Sequence, residues 1–239
     1  MIKYLIIVLL LTLSLNAKIR SGSSSESGSI GVNLIYFTPD FDSLNRGIKS
    51  LGIGGFEDGM FLWGGEISGA VNSMVSIGAQ YYNGATSISG RVDKIYEGNN
   101  VKVSRNVRYN IGYGGLNVTY NRKIGFGNYF LGGSANYGSI KLQISQDGGD
   151  LDFSQLINSY NDPNLIHSTN LKMDLYAFEI YSGVKIPIAE KVSIMFSAGY
   201  LYGFCNENGV LNYDFENVSN VPDMDIKSFR YSISLMFGA

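Results

Sequence analysis

Phe229-Arg230-Tyr231-Ser232-Ile233-Ser234-Leu235-Met236-Phe237, close to the end of the chain, alternates without a break. Every odd position is large and apolar, while the even ones hold Arg230, Ser232, Ser234 and Met236. A period of two marks a β-strand whose faces meet two different solvents. An aromatic at each end of the greasy face matches the girdles of a bilayer-spanning barrel strand.

The same pattern recurs upstream. Val192, Ile194, Phe196, Ala198, Tyr200, Tyr202 and Phe204 share one parity, against Ser193, Met195, Ser197, Gly199, Leu201 and Gly203. Val75, Ile77, Ala79 and Tyr81 likewise oppose Ser76, Gly78, Gln80 and Tyr82. Eight strands are expected, at about 30–39, 60–71, 74–86, 105–122, 127–144, 171–188, 191–205 and 225–238. Their connections alternate. Tight ones fall at Asn72-Ser73, 124–127 and Ala189-Glu190, and long ones at 40–59, 87–104, 145–170 and 206–224. This predicts an all-β fold, an antiparallel up-and-down transmembrane β-barrel with short periplasmic turns and four long extracellular loops.

The strand at 105–122 changes phase. Tyr109, Ile111 and Tyr113 have one parity, and Leu116, Val118 and Tyr120 the other. A bulge at Gly114-Gly115 would switch parity within the sheet; the alternative is a strand that breaks at the glycines. Neither this glycine string nor Gly52-Ile53-Gly54-Gly55 precedes a helix in a βαβ unit, so neither reads as a phosphate loop.

The chain opens with Met1-Ile2-Lys3, an apolar run from Tyr4 to Leu15, and Asn16-Ala17, the layout of a secretory signal peptide cut after Ala17. About twelve apolar residues fall short of the ~20 that span a bilayer. Residues 18–29 read as a flexible polar leader and 30–239 as the barrel domain. Without residues 1–17, which include Lys3, 17 basic residues face 20 acidic ones, a net charge of −3 that argues against a nucleic-acid partner. The single cysteine, Cys205, excludes an intramolecular disulfide.

With its alternating strands, alternating connections and Phe229–Phe237 terminal strand, the mature chain resembles small outer-membrane barrels of the OmpA/OmpX type. The resemblance implies a bacterial outer-membrane location, termini on the periplasmic side, and recognition of the last strand by the barrel assembly machinery. Gly238-Ala239 follow the final aromatic, a departure from that family's pattern.

An eight-stranded barrel is narrow enough for side chains to fill. Strand parity directs Glu66, Arg108, Glu179, Lys185 and Arg230 inward, with Gln80, Asn110, Asn117, Thr119, Asn121 and Asn136 as hydrogen-bonding partners. Unpaired charges there would be costly, so a polar plug is expected, with an ion gate as the rival. Trp63, Tyr202, Phe204, Phe229 and Phe237 are expected at the membrane interfaces. Phe41, Leu44, Ile48 and Leu51 recur at helical spacing between Asp40 or Asp42 and Gly52, and would cover the mouth or pack on the rim.

The loops carry acidic clusters: Asp147, Asp150, Asp152 and Asp162, then Glu207, Asp214, Glu216 and Asp223. They read as solubilising charge. Gln146–Asp152 spaces its aspartates like part of a calcium loop, but Asn158 stands where an EF-hand places its glutamate, so no metal or cofactor is assigned. His167, with Ser154, Ser159, Asp162 and Ser168 nearby, supplies composition rather than a triad's geometry, and no catalytic residue is assigned. The expectation is a monomeric structural or surface-interaction barrel in contact with outer-membrane lipid and surface glycolipid, any extracellular ligand being bound by loop aromatics such as Tyr160 and Tyr213. A narrow channel is the alternative, and a lipid-acting enzyme the third.

Overall fold

The computed structural model describes residues 28–96, 99–147, 166–205, 209–211, 217–218 and 224–238. In chain order the elements are β1 (Ser29–Phe37), α1 (Asp42–Lys49), β2 (Met60–Ala70), β3 (Val75–Tyr96), β4 (Asn99–Ile124), β5 (Gly127–Asp147), β6 (Ile166–Ala189), β7 (Val192–Cys205), β8 (Gly209–Leu211), β9 (Asn217–Val218) and β10 (Ile226–Phe237). Eight of the strands form a closed antiparallel ring in the order β1-β2-β3-β4-β5-β6-β7-β10, and β10 returns to β1 with Phe237 opposite Ile30. The signal segment 1–17 lies outside the described residues, and β1 starts at Ser29, the last residue assigned to the leader.

Three tight connections, at 71–74, 125–126 and 190–191, share one end of the ring. At the first, the Asn72 side-chain oxygen accepts from the Met74 and Val75 amides, each at 2.9 Å, the local bond that lets asparagine mimic a turn. The opposite, loop end differs from expectation. Within 87–104, expected as a loop, β3 and β4 pair as far as Tyr96 opposite Asn99. β8 and β9 pair with each other, Gly209 opposite Val218, and extend the sheet from β6 at Leu171 and Lys172. The ring itself remains eight-stranded.

Every ring strand turns a large apolar side chain outward, from Ile30, Val32 and Leu34 on β1 to Ile233, Leu235 and Phe237 on β10. Toward the loop end these give way to aromatics. The register carries the row from strand to strand: Phe204 faces Tyr176, Tyr176 faces Tyr137, Tyr137 faces Gly114, and Gly114 faces Tyr81. Such a surface has no favourable contact with water but suits hydrocarbon bounded by an interfacial aromatic belt.

Four neighbouring strands run well past this belt. β3, β4, β5 and β6 have 22, 26, 21 and 24 residues, against the ~9–11 that cross a bilayer. Beyond the belt their outer face turns polar (Ser87, Ser89, Arg108, Lys141), while their inner face turns apolar (Val107, Ile111, Ile140, Leu142, Met173, Leu175). The phase change in β4 is therefore no bulge. β4 pairs with both neighbours in unbroken register through Gly114-Gly115, so Tyr109, Ile111 and Tyr113 point into the ring and Leu116, Val118 and Tyr120 out of it. A register irregularity does occur between Pro187 and Ala189, where proline cannot donate to the ladder.

Candidate functional site

The ring interior is layered. At mid-height Arg230 and Glu179 form an ion pair with both side chains almost fully buried. β10 and β6 deliver them from separate sides, each at an inward position. The second Glu179 oxygen accepts from Gln80 Nε2 at 3.4 Å and Ser134 Oγ at 3.3 Å. Gln80 Nε2 also donates to Asn136 Oδ1 at 3.1 Å, and its own oxygen accepts from Asn117 Nδ2 at 3.1 Å. The guanidinium lies over two rings, 5.1 Å from the Tyr181 centroid and 5.7 Å from that of Tyr82. Charge, amide and ring groups thus meet in one layer inside the ring.

Above this layer, toward the loop end, the inward side chains form an apolar cluster. α1 enters it with Leu44 and Ile48 buried against β3–β6, and Phe41 packs edge-on to Tyr109 at 5.1 Å. Asp40 accepts from the Asp42 amide at 2.8 Å at the helix start. Gly52, at φ +75°, takes the chain out of the helix through a conformation that disfavours a Cβ. Asn45 clamps the following strap, its side chain donating to the Phe56 carbonyl and accepting from the Phe56 amide. Of the two placements open to this segment, it occupies the mouth.

Below the charged layer a cavity of about 90 Å³, lined by Glu66, Asn117, Thr119, Asn121, Tyr181 and Lys185, faces the turn end. It is roomy enough for several waters and has the polar lining to hold them.

Four of the five expected lumen charges lie inside. Glu179 and Arg230 pair, and Glu66 and Lys185 line the cavity. Arg108 does not join them: it is exposed on the outer face of β4, its Nε donating to Asn110 Oδ1 at 3.2 Å. An inward Arg108 and Asn110 would require their apolar neighbours Tyr109, Ile111 and Tyr113 to face lipid. Those neighbours instead face the apolar cluster inside the ring, which turns both polar side chains outward.

Trp63, Tyr202, Phe204, Phe229 and Phe237 all face outward, Trp63 with 66% of its surface exposed. Asp147 ends β5, and its side chain is not among the described ones. Tyr160 and Tyr213 lie outside the described residues, as do Asp150, Asp152, Asp162, Glu207, Asp214, Glu216 and Asp223. His167, expected in a loop, is on β6 opposite Gln146, with its side chain not described. Ser168 is beside it on the strand, while Ser154 and Ser159 lie outside the described residues.

Sequence reasoning did not single out the rings that frame Arg230 or the apolar cluster around α1. A signal was present. Ile88 and Val92 on β3, Ile140 and Leu142 on β5, and Met173 and Leu175 on β6 all oppose the lipid-facing parity of their own strands.

No family model matches the chain, and no curated protein does. Among solved structures the chain is similar to Neisserial surface protein A, with a TM-score of 0.46 and 11% identity over 92% of this chain and all of that one. It is also similar to the attachment invasion locus protein Ail of Yersinia pestis, with a TM-score of 0.39 and 10% identity over 90% of this chain and all of that one. For the outer membrane protease OmpT of Escherichia coli the TM-score is 0.34 and the identity 8%, over 93% of this chain and all of that one.

Proposed function

We propose that this chain is an outer-membrane barrel, closed to solutes, that braces the membrane and holds a four-stranded sheet at the cell surface for interaction. The observation that carries this reading is the pair of side-chain layers inside the ring. The Glu179–Arg230 layer is followed directly by the hydrocarbon around α1, and a hydrated path would have to breach both. What remains for function is the part that stands clear of the belt. There, among the described residues, β3 has β4 on one side only: its pairing with β2 ends at Asn83, while that with β4 continues to Tyr96. An open edge of that length is a surface on which another extended chain can pair.

Closure of the ring leaves no unpaired strand edge at bilayer depth, which suits a monomer in lipid. The terminal strand Phe229–Phe237 is the segment the barrel assembly machinery would engage. The polar cavity favours a narrow channel only as far as the charged layer, so that reading is the lesser one.

Two measurements test the proposal. Refolded protein in a planar bilayer is expected to stay electrically silent, and discrete openings would overturn the closure. A membrane-impermeant maleimide applied to intact cells is expected to label Ser89→Cys on the standing sheet and to spare Ser73→Cys in a tight turn. The opposite labelling would invert the orientation and end the surface role.

A further inference from the structure

We propose that the outer face of the standing sheet holds the phosphate of a phosphorylated lipid headgroup between Lys141 and Lys172, with Arg108 beside them. This rests on the outer-membrane reading above. In the β5–β6 register Lys141 is directly opposite Lys172, and both occupy outward positions. Directly opposed side chains have Cβ atoms about 5 Å apart, and like charges so placed repel. Among the described residues no carboxylate lies within ion-pairing distance of either lysine, the one salt bridge being that of Glu179 with Arg230. The nearest acid in register, Asp174, is two residues along β6 on the same outward face.

Asn110 extends the row onto β4 opposite Lys141, and Arg108 stands two residues beyond it on the same outward face. Arg108 uses its Nε on Asn110. Among the described residues three cations therefore border a patch that holds one carboxylate, that of Asp174. A tetrahedral oxyanion with several acceptors suits such a set, and arginine binds phosphate with particular directionality.

Height selects the source of the phosphate. Lys141 and Lys172 are each four residues outward from the belt tyrosines, Tyr137 and Tyr176. At ~3.3 Å per residue that is about 13 Å along the strand. With the tilt of barrel strands, ~45°, it is about 9 Å above the belt, close to the headgroup zone. Lysine stems reach several ångströms further down while keeping the ammonium at the polar level.

The test uses full mature barrel refolded in mixed phosphatidylcholine and diphosphorylated lipid A, with the ratio of bound lipids read by native mass spectrometry. Each surface lysine multiplies association with an anionic headgroup about fivefold, so Lys141→Gln with Lys172→Gln is expected to lower the bound lipid A ratio about 25-fold. Lys141→Arg with Lys172→Arg is expected to keep the ratio. So is Lys102→Gln, a cation on the same face but opposite Asp93. Heat-dependent gel migration checks that each variant folds.

An unchanged ratio in the double glutamine variant, or an equal loss from Lys102→Gln, would overturn the proposal. Retention of inorganic phosphate in phosphatidylcholine alone, lost in the double variant, would overturn the lipid assignment. Failure of the unaltered barrel to insert into any bilayer would overturn the membrane reading with it, and shows before any lipid ratio is read.

Discussion

Replacing Arg230 by alanine should be among the most destabilising single changes available to this barrel. Arg230 is 3% exposed and Glu179 2%. Losing the guanidinium strands a carboxylate in the middle of the bore and empties the space between Tyr82 and Tyr181. Breaking a buried pair in this way costs about 3–5 kcal/mol, most of it the cost of leaving the other charge unpaired. Gln80 and Ser134 still donate to Glu179, which places the expectation nearer 3 than 5 kcal/mol, or roughly a hundredfold in the folding equilibrium at ~1.4 kcal/mol per decade.

The companion variant removes both charges. Glu179→Gln with Arg230→Met leaves no carboxylate stranded at position 179, keeps a polar partner for Gln80, and refills the bore with a side chain that adapts to irregular space. It should lie within about 1 kcal/mol of the native barrel. Reversible urea unfolding in phospholipid vesicles measures both variants, with Trp63 as the lone tryptophan and a lipid-facing reporter. An Arg230→Ala barrel within about 1 kcal/mol of native, or a double variant as unstable as the single one, would refute a buried ion pair as the element that holds the bore together.

Three further outcomes follow from the same packing. Ile48→Asp puts an unpaired charge into the hydrocarbon around α1, so protease should cut the 38–59 strap while the membrane-embedded ring survives; conductance from that variant alone would show that the Glu179–Arg230 layer does not seal. Gly52→Ala meets both a positive φ and the Val92 side chain at 3.3 Å, and should cost about 1–2 kcal/mol in the same urea titration, with no loss refuting the strained exit from α1. At Gly115 a Cβ would press on the backbone of Ala135 and Asn136, so Gly115→Val should cost more than the ~1–3 kcal/mol of ordinary overpacking and slow refolding; a neutral result would mean that β4 and β5 are not in the close register described.

Much of this architecture was legible in the chain. The alternation in Phe229–Phe237 and Val192–Phe204 identifies strands that separate two media, because side chains two apart share a face whatever lies beyond it. The spacing of Phe41, Leu44 and Ile48 marked α1, and the turn residues marked three of the connections. Strand parity also placed Glu66, Glu179, Lys185 and Arg230 inside, since on their strands the apolar parity near these residues is the lipid-facing one.

Parity reports a contrast between two faces, but not which face is the oily one. Where Tyr109, Ile111 and Tyr113 change phase, a bulge and a change of surroundings leave the same trace in a single strand. Only the assembled ring decided between them. β3, β4, β5 and β6 all exchange their apolar face beyond the belt with their mutual registers intact, because lipid ends there on the outside and the hydrocarbon under α1 begins on the inside. That exchange put Arg108 on the outer surface beside Lys141 and Lys172 instead of in the bore. Local sequence sets the period of a strand, whereas the identity of the solvent on each side depends on what the other strands enclose.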